Sequence, residues 1–178
     1  MPNLTRITIA LDEETEKIVE NLAKEMGVSY SALIRAALRF FSQNKESAKD
    51  FESMKLWSNL LTKGEHIILD IDHWLLFLKY IELSGKKESF YEEGKKVAKS
   101  HAEQLARLTT TPEDYLKRLE ACNFYKLNKD SENEYTLVLN SNLTKRFVKE
   151  LISETLTEMG FDIDMKEDMM KLRLRIIG

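Results

Sequence analysis

The chain has 178 residues, of which 43% are hydrophobic and 32% charged, with a net charge of −3. That length holds one domain of ordinary size, or a small module followed by a medium one. The charge excludes a non-specific nucleic-acid coat, which would be strongly basic, but it leaves room for a specific reader that needs only a few local cations. Cys122 is the one cysteine, so no intrachain disulfide forms and a reducing compartment is expected. The first residues lack the apolar run of a signal peptide, and no stretch has the length and apolarity of a membrane span. The expectation is a soluble cytoplasmic protein with no membrane partner.

Residues 6–11 read Arg-Ile-Thr-Ile-Ala-Leu. Ile7, Ile9 and Leu11 fall on one side, and Arg6, Thr8 and Ala10 on the other. Period-two alternation with β-branched residues predicts a half-buried strand. The forty residues that follow look helical, so no neighbouring strand is at hand, and a lone strand leaves its backbone groups unpaired. The simplest partner is the same strand of a second copy, antiparallel across a two-fold axis. The polar side of such a two-stranded ribbon, with Arg6 and Thr8 presented twice, fits the major groove of double-stranded DNA.

Asp12 is a predicted N-cap, with Glu13, Glu14 and Glu16 in the first helical turn. Ile18, Val19, Leu22, Ala23 and Met26 follow at helical spacing, and Gly27 stands where a left-handed C′ residue belongs. Ser29 caps a second helix whose apolar face is Leu33, Ile34, Ala37, Leu38 and Phe41. A strand, a helix, a tight turn and a helix are too small to bury much alone, and dimerisation meets that need.

The alternating strand, the Leu11-Asp12-Glu-Glu start, Leu22-Ala23, and Met26-Gly27-Val-Ser29-Tyr-Ser31 before Leu33-Ile34-Arg35 resemble the ribbon-helix-helix family of transcription factors, the CopG, Arc and MetJ group, over residues 5–41. The resemblance implies an intertwined homodimer. It implies that the outward strand residues Arg6, Thr8 and Ala10 read bases, and that the backbone of Ser29 and Tyr30 grips phosphate. Arginine gives a bidentate contact to guanine and threonine bonds to several bases, whereas alanine only touches a thymine methyl. Amides at a helix N-terminus form a phosphate site without further help. Arg35 and Arg39 lie on the solvated side of the second helix.

The organisation expected is a DNA-binding and dimerisation module at 1–44, a partly helical linker at 45–60, and an α+β domain at 61–178 for effector sensing or oligomerisation. In the last part, Met54, Leu56, Trp57, Leu60 and Leu61 suggest a short helix stopped by Gly64. Residues 65–71 read as a strand. Asp72 then caps an apolar helix with Trp74, Leu75, Phe77, Leu78 and Ile81, ending at Ser84-Gly85. A long helix over 88–108 carries Phe90, Val97, His101, Leu105 and Leu108 on one stripe. Thr111-Pro112-Glu113-Asp114 is a helix start with a capping acid and a proline at the first helical position. Residues 124–127 and 134–139 flank a turn-rich segment and read as a hairpin. A helix over 143–159 closes at Gly160, and 161–165 and 171–177 read as two more strands. This order of elements, with Leu119-Glu-Ala-Cys-Asn-Phe124 and Tyr135-Thr-Leu-Val-Leu-Asn140, resembles the 4-vinyl reductase type of small-molecule-sensing domain over residues 90–177. The cysteine cluster that many such domains carry near the C-terminus is missing.

No motif of enzymatic chemistry occurs: there is no glycine-rich phosphate loop, nucleophile elbow or zinc-protease helix. Asp70, Asp72 and His73 read as a strand end and a helix cap. His66, His73, His101 and Cys122 lack the spacing of a transition-metal site, and His101 and Cys122 read as core positions. Trp57, Trp74, Phe77, Phe90 and Tyr91 are core residues or the lining of an effector pocket. No cofactor is implied. The expectation is a DNA-binding transcriptional regulator, homodimeric or tetrameric, with a possible small-molecule effector. The alternative is an antitoxin-like protein-interaction module with autoregulatory DNA binding.

Overall fold

Asp12 and Ser29 each open a helix, and a glycine in the left-handed region separates the two. In the computed structural model, which describes residues 5–46, 51–62, 66–105 and 108–177, α1 spans Glu13–Met26 and α2 spans Tyr30–Gln43. The Asp12 carboxylate accepts the Thr15 amide at 2.7 Å, and hydrogen bonds from Thr15 hold its pKa below the ordinary carboxylate value. Gly27 has φ 64, and the next amide, Val28 N–H, reaches back to the Ala23 carbonyl at 3.0 Å. That is the geometry by which an αL residue ends a helix.

Only Val19, Ala23 and Leu33 are buried between these helices, with Ile34 packed against them. Ile18, Leu22, Met26, Leu38 and Phe41, all on the apolar faces read from sequence, remain 40–64% exposed in the single chain. A helix pair has no second layer to lie against, so periodicity alone does not bury these residues. Residues 5–12 form neither helix nor ladder within one chain.

Contacts divide the chain into two compact units, Met1–Met54 and Lys55–Gly178. Residues 47–50 of the expected linker, the expected helix stop at Gly64 and the strand start at Glu65 lie outside the described residues. Helix α3 spans Phe51–Thr62 and buries Leu60, and its Trp57 indole N–H donates to the Ala121 carbonyl at 2.7 Å.

Residues 66–70 are not a strand. β-branched side chains favour a sheet only where a neighbouring strand accepts them, and none does here. The cap of the next helix, α4 (Ile71–Leu83), is Asp70 and not Asp72, because the Asp70 carboxylate accepts the Asp72 amide at 2.8 Å. Helix α5 (Lys87–Leu105) buries Tyr91, Ala98, Ala102 and Leu105, so its inner stripe is offset by one residue from the reading of Phe90, Val97 and His101. Close packing of α5 on α7 selects small residues there. Tyr91 is buried in part because its hydroxyl has a partner, the Glu82 carboxylate.

Thr111 caps α6 (Pro112–Ala121), accepting the Asp114 amide at 3.1 Å. The strands are β1 (Lys126–Lys129), β2 (Glu134–Val138), β3 (Ile163–Asp168) and β4 (Lys171–Ile176), and α7 (Lys145–Glu158) precedes β3. They form one antiparallel sheet in the order β1-β2-β4-β3. Tyr135 faces Leu174 and Leu137 faces Leu172 in the register of β2 with β4. These four side chains point to the inner face, where Tyr115, Leu116 and Leu119 of α6 and Val148, Ile152 and Leu156 of α7 cover them. The opposite face is charged: Arg175 pairs with Glu134 at 2.6 Å and Arg173 with Asp168 at 2.8 Å. Helices on one side of an antiparallel sheet make the second unit an α+β fold. Arg146 of α7 donates to both oxygens of Glu88 on α5 at 2.9 and 2.6 Å, donates to Glu150 at 2.8 Å, and stacks 3.8 Å above the Tyr91 ring. No helix among the described residues is long and apolar enough to cross a membrane.

Candidate nucleic-acid interface

Arg6, Thr8 and Ala10 are all exposed, on the segment that runs into Asp12. Their alternates are exposed too: Ile7 at 81%, Ile9 at 53% and Leu11 at 42%. Both sides of the segment are thus open in a single copy. Three large apolar side chains standing in water without a structural role are an unfinished surface.

At the start of α2 the Ser29 hydroxyl accepts the Ala32 amide at 3.3 Å, and the Ser29 carbonyl accepts the Leu33 amide at 2.9 Å. The Tyr30 and Ser31 amides therefore lie ahead of the first i→i−4 bond and point along the helix axis. The first turn of α2 holds no acid, whereas that of α1 holds Glu13, Glu14 and Glu16. The positive end of α1 is already offset by its own carboxylates, and that of α2 is open to an external anion. The Tyr30 ring beside it is 55% exposed. Arg35 and Arg39 are exposed on the same helix. The chain thus carries one set of side chains on the opening segment and one set of free amides at a helix start.

The other candidates do not converge. His73 Nδ1 lies 3.9 Å from the Asp70 carboxylate, both exposed, across the cap of α4. His101 is exposed rather than on the inner stripe of α5, for the same one-residue offset. Cys122 is half-buried and forms the C-cap of α6 rather than a fully enclosed core position, and burial raises its thiol pKa. Among the described residues no three His, Cys, Asp or Glu side chains gather to hold a metal ion. The aromatic set comes together only in part: Trp74 and Phe90 pack edge-on or tilted against Phe147 and Tyr91 packs against Phe90, whereas Trp57 bonds to α6 and Phe77 faces outward at 50% exposure. Sequence reading missed that α4 is apolar on its outer side as well. The signal was there, since Leu76, Tyr80 and Leu83 recur at helical spacing half a turn away from Trp74, Leu78 and Ile81.

No curated protein and no solved structure matches the chain. Residues 5–41, about a fifth of the sequence, match the family model described as ribbon-helix-helix protein, copG family, which supports a ribbon-helix-helix module in the N-terminal unit and, in general terms, a DNA-binding regulator.

Proposed function

We propose that the protein is a homodimeric transcriptional regulator that inserts a two-stranded β-ribbon, one strand from each copy, into the major groove. Arg6, Thr8 and Ala10 of each strand face base edges, and Ile7, Ile9 and Leu11 face the helices beneath. The Tyr30 amide behind the Ser29 cap binds a backbone phosphate and fixes the register. The observation that carries this reading is the opening segment, an alternating sequence whose apolar side is uncovered in one copy and which starts the stretch matched to the family. Pairing with a second copy would satisfy its backbone and bury that side in a single step.

The second unit senses a small molecule, contributes to oligomerisation, or both. Its order of α5, α6, the β1–β2 hairpin, α7, β3 and β4 supports a 4-vinyl reductase type of sensing domain. An effector would act by favouring one separation of the DNA-binding ribbons over another.

The test is selection of a DNA site by the full chain, followed by fluorescence anisotropy on that site. Arg6→Ala should cost about 1–3 kcal/mol of specific affinity and relax sequence preference, while circular dichroism stays unchanged. Unchanged affinity for the selected site would remove Arg6 from the interface.

A further inference from the structure

Helix α4 carries apolar residues on two sides, with Asp72, His73 and Lys79 interspersed on the outer one. Its inner side, Trp74, Leu75, Leu78 and Ile81, is buried or half-buried. On the side opposite, Leu76 is 46% exposed, Phe77 50%, Tyr80 69% and Leu83 73%. The residues leading into the helix continue the patch, with Ile67 and Ile68 at 83% and 85%. A helix with two apolar sides belongs between two layers, and the second unit supplies only one of them.

We propose that the outer face of α4 packs antiparallel against the same face of α4 in a second copy of the chain. The inference rests on the dimer read above, because a paired N-terminal module tethers two second units and raises their local concentration. Three further observations favour a second copy as the occupant. The first is charge. The outer stripe carries one acid near its start, Asp72, and one base near its end, Lys79, both exposed. Antiparallel pairing that sets Asp72 against Lys79 of the second copy makes the contact twice, and places the two-fold axis between positions 75 and 76. The second is fit. That register sets Leu83 across from Ile68, so the exposed residues ahead of the helix are covered by its far end. At 1.5 Å per residue the 13 residues of α4 run about 20 Å, enough for this overlap. The third is area. A Phe or Tyr side chain carries about 150–250 Å². At the exposures found, the patch offers roughly 800 Å² per copy, the size of a stable interface.

The test uses the full chain with Cys122→Ser, so that an introduced thiol is the only one present. Leu76→Cys lies beside the proposed axis and should form an intermolecular disulfide under mild oxidation, whereas Val97→Cys, exposed on α5, should not. In the Leu76→Cys background, Asp72→Lys or Lys79→Asp alone should lower the yield of covalent dimer about tenfold at low salt, and the two together should restore it. The rescue separates a symmetric contact from damage to the helix, since the double variant keeps the unfavourable charge at each end of α4. Absence of the Leu76→Cys disulfide, or a yield indifferent to the charge reversals, would overturn the proposal and leave the face to a different protein. The reading of the N-terminal dimer fails separately: Ile9→Glu would then leave DNA binding and self-association unchanged, while the α4 disulfide and its charge rescue report on this contact alone.

Discussion

Met169 sits in the two-residue turn between β3 and β4 with φ 47, in the left-handed region, and its side chain is 84% exposed. A Cβ there costs energy that no contact returns. Met169→Gly should therefore raise stability by about 0.5–1 kcal/mol, read as a higher urea midpoint with an unchanged slope. Asn123, at φ 62 after α6, is a residue type that tolerates the same region and needs no such relief. Charge acts at this scale as well. Lys117, 2.7 Å away, and Lys129 lower the Glu113 pKa from 4.5 to about 2. The folded-state pKa is the lower one, so these contacts contribute to stability above about pH 4.5, and the contribution is lost as the pH falls toward 2. An NMR titration of the Glu113 carboxyl should follow this shift, and Lys129→Ala should move its pKa back upward. A pKa unmoved by that substitution would detach Lys129 from the carboxylate.

At the scale of elements, the caps carry most of the prediction from sequence. Asp12, Gly27, Ser29, Thr111 and Gly160 all stand at helix ends because each solves a local problem, an orphan amide or a left-handed residue, that four or five neighbours define. Ser29→Ala should cost about 1 kcal/mol of stability and also weaken DNA binding, through fraying of the amides proposed to face phosphate. Thermal denaturation and anisotropy measure the two effects independently, and a loss of stability with full affinity would place the phosphate contact elsewhere. Where a distant partner decides the outcome, the sequence was less legible. Residues 66–70 have the composition of a strand but no neighbour, so Asp70 ends up capping α4. The inner stripe of α5 is marked by Ala98, Ala102 and a hydrogen-bonded tyrosine, which hydropathy does not single out. The strands of the sheet were readable because Leu172 and Leu174 alternate with Arg173 and Arg175, a pattern that survives whatever the partner strand is. The proposed roles of Arg6 and Thr8 depend on the pairing of two copies.

For the molecule as a whole, the apolar surface left open on α1, α2 and the opening segment means that the proposed dimer would tie folding to association. A two-helix module with three buried side chains has little stability of its own, and mass action should supply the rest. Raising the protein concentration tenfold should shift the melting temperature of the N-terminal unit upward by a few degrees, as for any obligate dimer. Calorimetry at two concentrations checks this, and superimposable transitions would mean that the unit is stable as a monomer. The sheet core of residues 115–174 is closed within one copy, so its own transition should depend far less on concentration.

Both tryptophans, Trp57 and Trp74, lie beyond residue 54, one tied to the end of α6 and the other packed against Phe147. Indole emission is therefore silent about the ribbon and its two helices, and speaks only for the larger unit. A change in that fluorescence when DNA is added would report on the larger unit, so the native chain already contains an optical probe for the proposed coupling between DNA binding and that unit.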